Sequence, residues 1–312
     1  RRVTVPFEEC HFRILSQNLV YYAMTWLHPG CSHISLLPSM TKDGRPKVAR
    51  NYEFNDAFED FNVIKTSIQG AYTHIGTSVL GLGRDDGFNE MGLAVTMSST
   101  SFPVGVDENM RRPAVTGLQF WAVIRTLLDT CRDVKECLDR LKDMPIAFNM
   151  NLILTDKAGN AALYETLDGR KAFRTIDPSS DAQYLYATNH PLLEELIPHE
   201  PRAMENSLKR IRNIEAFLEQ HGKGLGTEDL KQFLLTPYPA GLSCPYYDDF
   251  FGTTKSMVID PAAGTMELCW GGQETNGWQH YSLDGDFTEG VRAMDLCSQP
   301  APPSLFQLTD IE

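Results

Sequence analysis

Pro29-Gly30-Cys31-Ser32-His33-Ile34-Ser35-Leu36-Leu37 is the stretch on which the reading of this chain turns. Proline followed by glycine breaks any element before it. Residues 32–37 read as a strand, Asp43-Gly44 as a tight turn, and residues 47–53 as the returning strand. A cysteine directly after glycine can be approached closely, because glycine carries no Cβ. If the Gly30–Cys31 bond were cut, Cys31 would hold a thiol and a free α-amine on one residue. Such an amine titrates at roughly 7.7–8.0, so it can act as a general base near neutral pH. One residue would then supply both nucleophile and base. A glycine-cysteine pair alone says little, since most such cysteines are small core residues.

The returning strand carries Arg50-Asn51-Tyr52-Glu53-Phe54. Arg50 and Tyr52 share one face of it and Asn51 points to the other. The hairpin brings Arg50 back toward Cys31, where a guanidinium would favour the thiolate. Glu53 is expected to hydrogen-bond the α-ammonium. Without Cys31, the same residues would read as an ion pair on an exposed strand.

Further strands are expected over 73–82 and 92–97, around a polar link at 83–89. Residues 116–142 change to helical spacing. Leu118, Trp121, Ile124, Leu127 and Leu128 keep one apolar face, Asp129-Thr130 offers a break and a cap, and a second short helix carries Val134, Leu138 and Leu141. Strands resume at 151–155 and 161–166, joined by Lys157-Ala158-Gly159-Asn160, and again at 184–188. Residues 207–220 read as a helix, and Thr227-Glu228-Asp229 opens another with an acidic first turn. A last hairpin pairs 255–259 with 265–270, and the tail with Pro300, Pro302 and Pro303 looks extended. Hairpin strands with helices in separate blocks imply layered antiparallel sheets covered by helices, and not a parallel βαβ repeat.

Composition narrows the function. The chain has 312 residues, 42% hydrophobic, with a formal net charge of -13. That size can bury a large core, and that charge repels phosphate backbones and anionic lipid, so neither nucleic acid nor a membrane is an expected partner. The apolar run at 19–27 is too short to span a bilayer and no small-residue cleavage site follows it. The seven cysteines include no C-x-x-C pair, and an odd count argues against a closed disulfide framework. A reducing, cytoplasmic setting is the expectation. His190 and His280 lie far from any cysteine pair, and neither a dinucleotide fingerprint nor a phosphate-binding loop is present, so no metal or cofactor is expected.

Gly30-Cys31-Ser32 followed by Arg50-Asn51-Tyr52-Glu53-Phe54 resembles the choloylglycine hydrolase and penicillin V acylase superfamily of N-terminal-nucleophile hydrolases. It looks closest to the branch with an internal Gly-Cys processing site, typified by isopenicillin N acyltransferase. The likeness runs from about residue 30 to 272. Phe88-Asn89-Glu90-Met91-Gly92-Leu93 is similar to that family's Asn-Glu-x-Gly-Leu turn and strand, 127–146 to its helix pair, and 153–165 to its Asp-x-x-Gly hairpin ending in Glu. Thr188-Asn189-His190 matches its Thr-Asn element.

The resemblance implies an α+β, four-layer αββα sandwich of two antiparallel sheets flanked by helices. Residues 1–30 would be a leading segment, removed as a propeptide, and 31–312 one amidohydrolase domain. It implies Cys31 as nucleophile, Arg50 as electrostatic partner of the thiolate, and Glu53 where relatives place aspartate to bind the α-amine. Asn189 would be the oxyanion-hole side chain, with a backbone partner near Ser99, where many relatives carry asparagine. Arg210, with Arg212 next in line, fits a second family arginine, although a solvent-facing helix charge reads equally well. The implied substrate is a small-molecule linear amide, cleaved by hydrolysis or acyl transfer. The stretch 102–110 and the aromatics Tyr246, Tyr247, Phe250 and Phe251 are candidates for an acyl pocket. Three alternatives stay open: a Cys31–His190 pair of the papain type, an acyl-CoA-dependent acyltransferase, and an unprocessed relative that only binds. Homo-oligomer formation is also open.

Overall fold

The first hairpin forms where the sequence pattern places it. In the computed structural model, which describes residues 30–79, 81, 83–101, 111–112, 114–285 and 293–311, β1 (Gly30–Leu36) pairs antiparallel with β2 (Lys47–Phe54). Gly44, at φ 67°, takes the left-handed conformation that this turn requires. The register sets Gly30 opposite Glu53, Cys31 opposite Tyr52 and His33 opposite Arg50. Because side chains alternate, Cys31, His33, Arg50 and Tyr52 lie on one face, and Ser32, Asn51 and Glu53 on the other.

Around this hairpin grows the first sheet. β10 (Tyr184–Ala187) flanks β1, while β13 (Phe251–Asp260), β14 (Thr265–Trp270) and β15 (Gln279–Ser282) follow β2 in that order. A short strand, β12 (Pro245–Tyr246), also pairs with β13. The second sheet is an antiparallel meander in chain order: β3 (Val63–Thr66), β4 (His74–Val79), β5 (Gly83–Asn89), β6 (Leu93–Ser99), β7 (Met150–Asp156), β8 (Ala161–Leu167) and β9 (Arg170–Ile176). Two helices, α1 (Phe120–Thr130) and α2 (Val134–Asp143), cover it, and α3 (Glu205–His221) and α4 (Thr227–Leu235) cover the first sheet. Separately, β11 (Arg202–Met204) pairs with β16 (Leu308–Asp310).

Three apolar layers hold the stack. Val48, Met257 and Ile259 meet Ile75, Phe88 and Ala94 between the sheets. Outside, Val123 and Leu127 pack on Val95 and Leu152, and Phe217, Leu230 and Phe233 on Ile34, Ala49 and Val258. Each fully buried Leu, Val, Ile or Phe contributes about 1.5–3 kcal/mol relative to exposure. The result is the α+β, αββα sandwich of two antiparallel sheets expected from the sequence.

Several local expectations need correction. The polar link at 83–89 is β5, a wholly buried strand. Its polar groups are tolerated because each is met: Asp86 by Arg50, Asp85 by Lys255, Arg84 by Thr66, and Asn89 by the carbonyls of Leu128 and Cys131. The break between the helices falls after Thr130, and Asp133, not Asp129, caps the second helix by accepting from Glu136 N–H. Asp129 is instead held inside α1 by His74 and Arg125. β9 escaped notice because only Ala172 and Ile176 of its seven residues are buried. The leading segment lies outside the described residues except for Gly30, and so does 102–110. No helix among the described residues is long and apolar enough to cross a membrane.

Candidate active site

Cys31 lies at the start of β1, with its side chain turned between the sheets and only 1% of the residue exposed. Three side chains from three elements reach it. Asn189, two residues beyond β10, accepts the Cys31 backbone N–H through Oδ1 at 2.7 Å. Arg210, in the second turn of α3, donates through Nη1 to the Cys31 carbonyl and to Ser32 Oγ, the latter at 2.9 Å. Arg50, across the hairpin, sets its guanidinium beside the thiol. Burial pushes the Cys31 thiol above its usual range, Arg50 opposes that rise, and Glu53 and Asp86 add to it.

Arg50 is itself fully buried. Its Nε donates to both oxygens of Asp86 on β5, at 3.0 and 3.1 Å, and another of its nitrogens to the Asn51 carbonyl. Although burial works against its charge, Asp86 and Cys31 hold Arg50 protonated beyond even the usual arginine range. Burial lifts the Asp86 carboxyl to about 7, Arg50 pulls it down, and Asp85 adds to the lift. The Tyr52 ring meets both Arg50, 4.8 Å from its centroid, and the Lys255 ammonium at 4.2 Å. Lys255 is buried on β13 and bridges Glu59 and Asp85.

On the other face of β2, Glu53 accepts from Thr253 Oγ1 at 3.0 Å through Oε1. Its Oε2 stands 3.6 Å from Arg210 Nη1 and takes no hydrogen bond among the described residues. Burial raises the Glu53 carboxyl, with Arg210 and then Arg50 opposing. Gly30 lies directly opposite, and only glycine fits there. A Cβ would stand 2.3 Å from Phe251 Cζ and 2.8 Å from Glu53 Cβ.

Asn189 is fixed by all its polar atoms. Oδ1 also accepts from Arg210 Nη2 at 2.8 Å, and Nδ2 donates to the Ser99 carbonyl at 3.0 Å and to Ser99 Oγ at 3.2 Å. Ser99 ends β6 beside it. The Thr100 N–H is taken by the Asn149 carbonyl, so in an antiparallel ladder the Ser99 N–H turns away from β7. It faces the side that β5 leaves after the Asp86–Thr96 pair.

The structure thus gathers Cys31, Arg50, Glu53, Asn189, Arg210 and Ser99 around one point. Arg210 is fully buried and not a surface charge, whereas Arg212 is exposed and pairs with Glu205. His190 turns its Nδ1 to Ser207 Oγ at 2.8 Å and makes no hydrogen bond to the Cys31 thiol among the described residues. Burial first, then Arg210, lowers that imidazole to about 3, so it is neutral. Of the four aromatics suggested for an acyl pocket, Tyr246, Tyr247 and Phe251 are buried and only Phe250 is exposed. Tyr247 spends its hydroxyl on the Thr253 and Gly271 carbonyls.

Sequence reasoning missed Asp86, Lys255, Thr253 and Ser207. The last accepts the Asn189 N–H at 2.8 Å and bonds Thr188 Oγ1 at 2.9 Å. A lysine amid Thr-Thr-Lys-Ser-Met-Val-Ile was the available signal, since a charge in a core strand demands a buried partner.

Comparison with known proteins gives the family and the fold. Residues 39–275 match the family described as acyl-coenzyme A:6-aminopenicillanic acid acyl-transferase, a span that holds Arg50, Glu53, Asn189 and Arg210 and begins after Cys31. No curated protein matches in sequence. Among solved structures, a mutant of the conjugated bile acid hydrolase from Clostridium perfringens superposes with a TM-score of 0.57 at 13% identity, covering 87% of this chain and 99% of that one. The Caenorhabditis elegans ortholog of N-acylethanolamine-hydrolyzing acid amidase gives 0.51 at 12% identity, covering 74% and 93%. At such identities the likeness is one of fold.

Proposed function

Given that the chain belongs to the acyl-coenzyme A:6-aminopenicillanic acid acyl-transferase family, we propose that it cleaves a linear amide C–N bond through a thioester on Cys31. The observation that carries this reading is that separate side chains attend each functional atom of one residue. Arg50 is at the Cys31 thiol, Asn189 Oδ1 at its nitrogen and Arg210 at its carbonyl.

Maturation comes first in this reading. The Cys31 sulfur attacks the Gly30 carbonyl carbon, the Gly30–Cys31 C–N bond breaks as the nitrogen takes the thiol proton, and a thioester to Gly30 remains. Water hydrolyses it, leaving Cys31 with a free α-amine. That amine keeps Asn189 Oδ1 as an acceptor, and Glu53 Oε2, which takes no hydrogen bond among the described residues, supplies a second, carrying the charge an ammonium needs.

In turnover the neutral α-amine takes the thiol proton while sulfur attacks the substrate carbonyl. The alkoxide that forms is met by Asn189 Nδ2 and the Ser99 N–H. Asn189 is tied to Cys31 through Oδ1, and Nδ2 has only Ser99 to release in order to serve as a donor. The amine then passes its proton to the leaving nitrogen, the C–N bond breaks, and an acyl-enzyme remains. Water gives hydrolysis, and a second amine gives acyl transfer. Arg50 offsets part of the rise that burial gives the Cys31 thiol, and the α-amine takes the proton that still has to leave. The substrate in this reading is an amide of an acyl group with a small amine or amino acid, the class to which the N-acylethanolamines of the acid amidase of similar fold belong.

Trapping the acyl-enzyme tests this. Brief incubation with a p-nitrophenyl acyl ester followed by peptide mass spectrometry is expected to show the acyl mass on the Cys31 peptide, and none in Cys31→Ala. Stable acylation at another cysteine, or amide turnover retained in Cys31→Ala, contradicts the proposal.

A further inference from the structure

Glu53 can bind an α-ammonium only if one oxygen is kept free and aimed, and nothing in β2 itself does that. The answer lies across the sheet. β13 pairs with β2 in regular register from Ile259 back to Lys255, opposite Tyr52, and then slips, so that Glu53 faces Thr253 and Thr254 is an extra residue. Such bulges re-aim side chains at the cost of one ladder position. Here the slip turns Thr253 toward Glu53, while Thr254 Oγ1 returns to the Tyr52 carbonyl at 3.2 Å and to Glu59 Oε2 at 2.9 Å.

Thr253 has little freedom once placed. Its N–H donates to the Cys244 carbonyl at 2.8 Å, and its carbonyl accepts from Tyr247 Oη at 2.7 Å. Gly272 closes on its carbon face so tightly that a Cβ there would stand 2.7 Å from both Thr253 Cβ and Cγ2. The Cys244 N–H donates to Thr253 Oγ1 at 2.8 Å. A hydroxyl has one proton, and with a donor already pointed at its lone pair, that proton goes to Glu53 Oε1. Oε1 is thereby occupied. Oε2 keeps only the distant Arg210.

We propose that Thr253 is a positioning residue for this site: the β13 bulge and the Cys244 N–H orient its hydroxyl so that Glu53 presents Oε2 alone to the α-ammonium of Cys31. This rests on the reading of Cys31 as a nucleophile freed at its N-terminus. A purely structural threonine would satisfy its own hydroxyl with the Cys244 N–H and leave the ionisation of Glu53 indifferent to it.

The test needs no substrate. In the full chain labelled with carboxyl-13C glutamate, the Glu53 signal is identified by its loss in Glu53→Gln and titrated in each variant. Thr253→Val removes the hydroxyl bond that favours the ionised carboxylate, so the Glu53 midpoint should rise by about one pH unit, and Thr253→Ser should restore it. Thr253→Ala, less bulky beside Gly272, carries the same comparison if valine does not fold. An unmoved midpoint in the hydroxyl-free variants, or an equal rise in Thr253→Ser, overturns the proposal. With any amide that the wild type cleaves, Thr253→Val should lower kcat about tenfold with KM nearly constant, because the amine moves protons and does not bind substrate. A wild type that cleaves no amide refutes the functional reading separately, while the Glu53 midpoint still decides the role of Thr253.

Discussion

Replacing Arg50 by methionine removes the group that faces both Cys31 and Asp86. Both Arg50–Asp86 hydrogen bonds, at 3.0 and 3.1 Å, are then lost, and neither side chain is exposed. Removing one partner of a buried ion pair costs about 3–5 kcal/mol, because the survivor is left uncompensated. Arg50→Met and Asp86→Asn should each lose about that much at pH 8. The double variant buries neither charge, so it should be less destabilised than the sum of the two by about 2–3 kcal/mol.

The pH dependence gives a second handle. Asp86 titrates at about 7 in the fold, chiefly through burial, and Arg50 is the largest influence lowering it. Its midpoint therefore rises further in Arg50→Met. A carboxyl protonated in the fold and ionised when unfolded makes stability fall as pH rises from its ordinary value to the folded midpoint. The slope is about 1.4 kcal/mol per pH unit. For wild type that decline ends near 7, whereas in Arg50→Met it continues. The gap between the two proteins should hold steady below pH 7 and widen above it. Urea unfolding of the four proteins at pH 6, 7 and 8 measures both effects. Additivity within about 0.5 kcal/mol, or a gap that narrows above pH 7, refutes the reasoning.

Other expectations follow from the same contacts. Gly30→Ala should block or slow cleavage at the Gly30–Cys31 bond at least tenfold on gels, because its Cβ would collide with Phe251 and Glu53; unchanged cleavage would contradict the packing. Alkylation of Cys31 by iodoacetamide should keep rising beyond pH 9, since burial holds the thiol protonated. That profile should move up in Arg50→Met and down in Glu53→Gln, the signs set by their charges. His190→Gln should leave the alkylation profile in place, whereas a base acting on the thiol would shift it. Asn189→Ala should lower kcat about a hundredfold to a thousandfold in amide turnover, and near wild-type rates would count against its oxyanion role.

Much of this architecture was legible in the chain. The Gly30-Cys31 and Arg50-to-Glu53 segments could be placed together because a short turn and alternating residues fix one hairpin register. What escaped notice shares a physical cause. Asp85, Asp86 and Lys255 sit inside strands, and a buried charge shows its partner only after the chain has folded. Gly83 to Asn89 therefore read as a loop on polarity, although its charges are matched from β2 and β13. The bulge at Thr254 is equally silent, since a one-residue slip depends on the pairing strand and leaves no periodic mark. Arg210 could be read either way on helical spacing alone; only the seat of α3 over β1 decides that it is buried.

In the proposed reaction Cys31 becomes the N-terminus and nucleophile of the working protein. Intact mass and N-terminal sequencing of the purified full chain test it most directly. A fragment beginning Cys31-Ser32-His33-Ile34 is expected, absent in Cys31→Ala and accumulating slowly in Arg50→Met. An unbroken wild-type chain whose Cys31 resists acylation, or a Cys31→Ala chain still cut after Gly30, contradicts it.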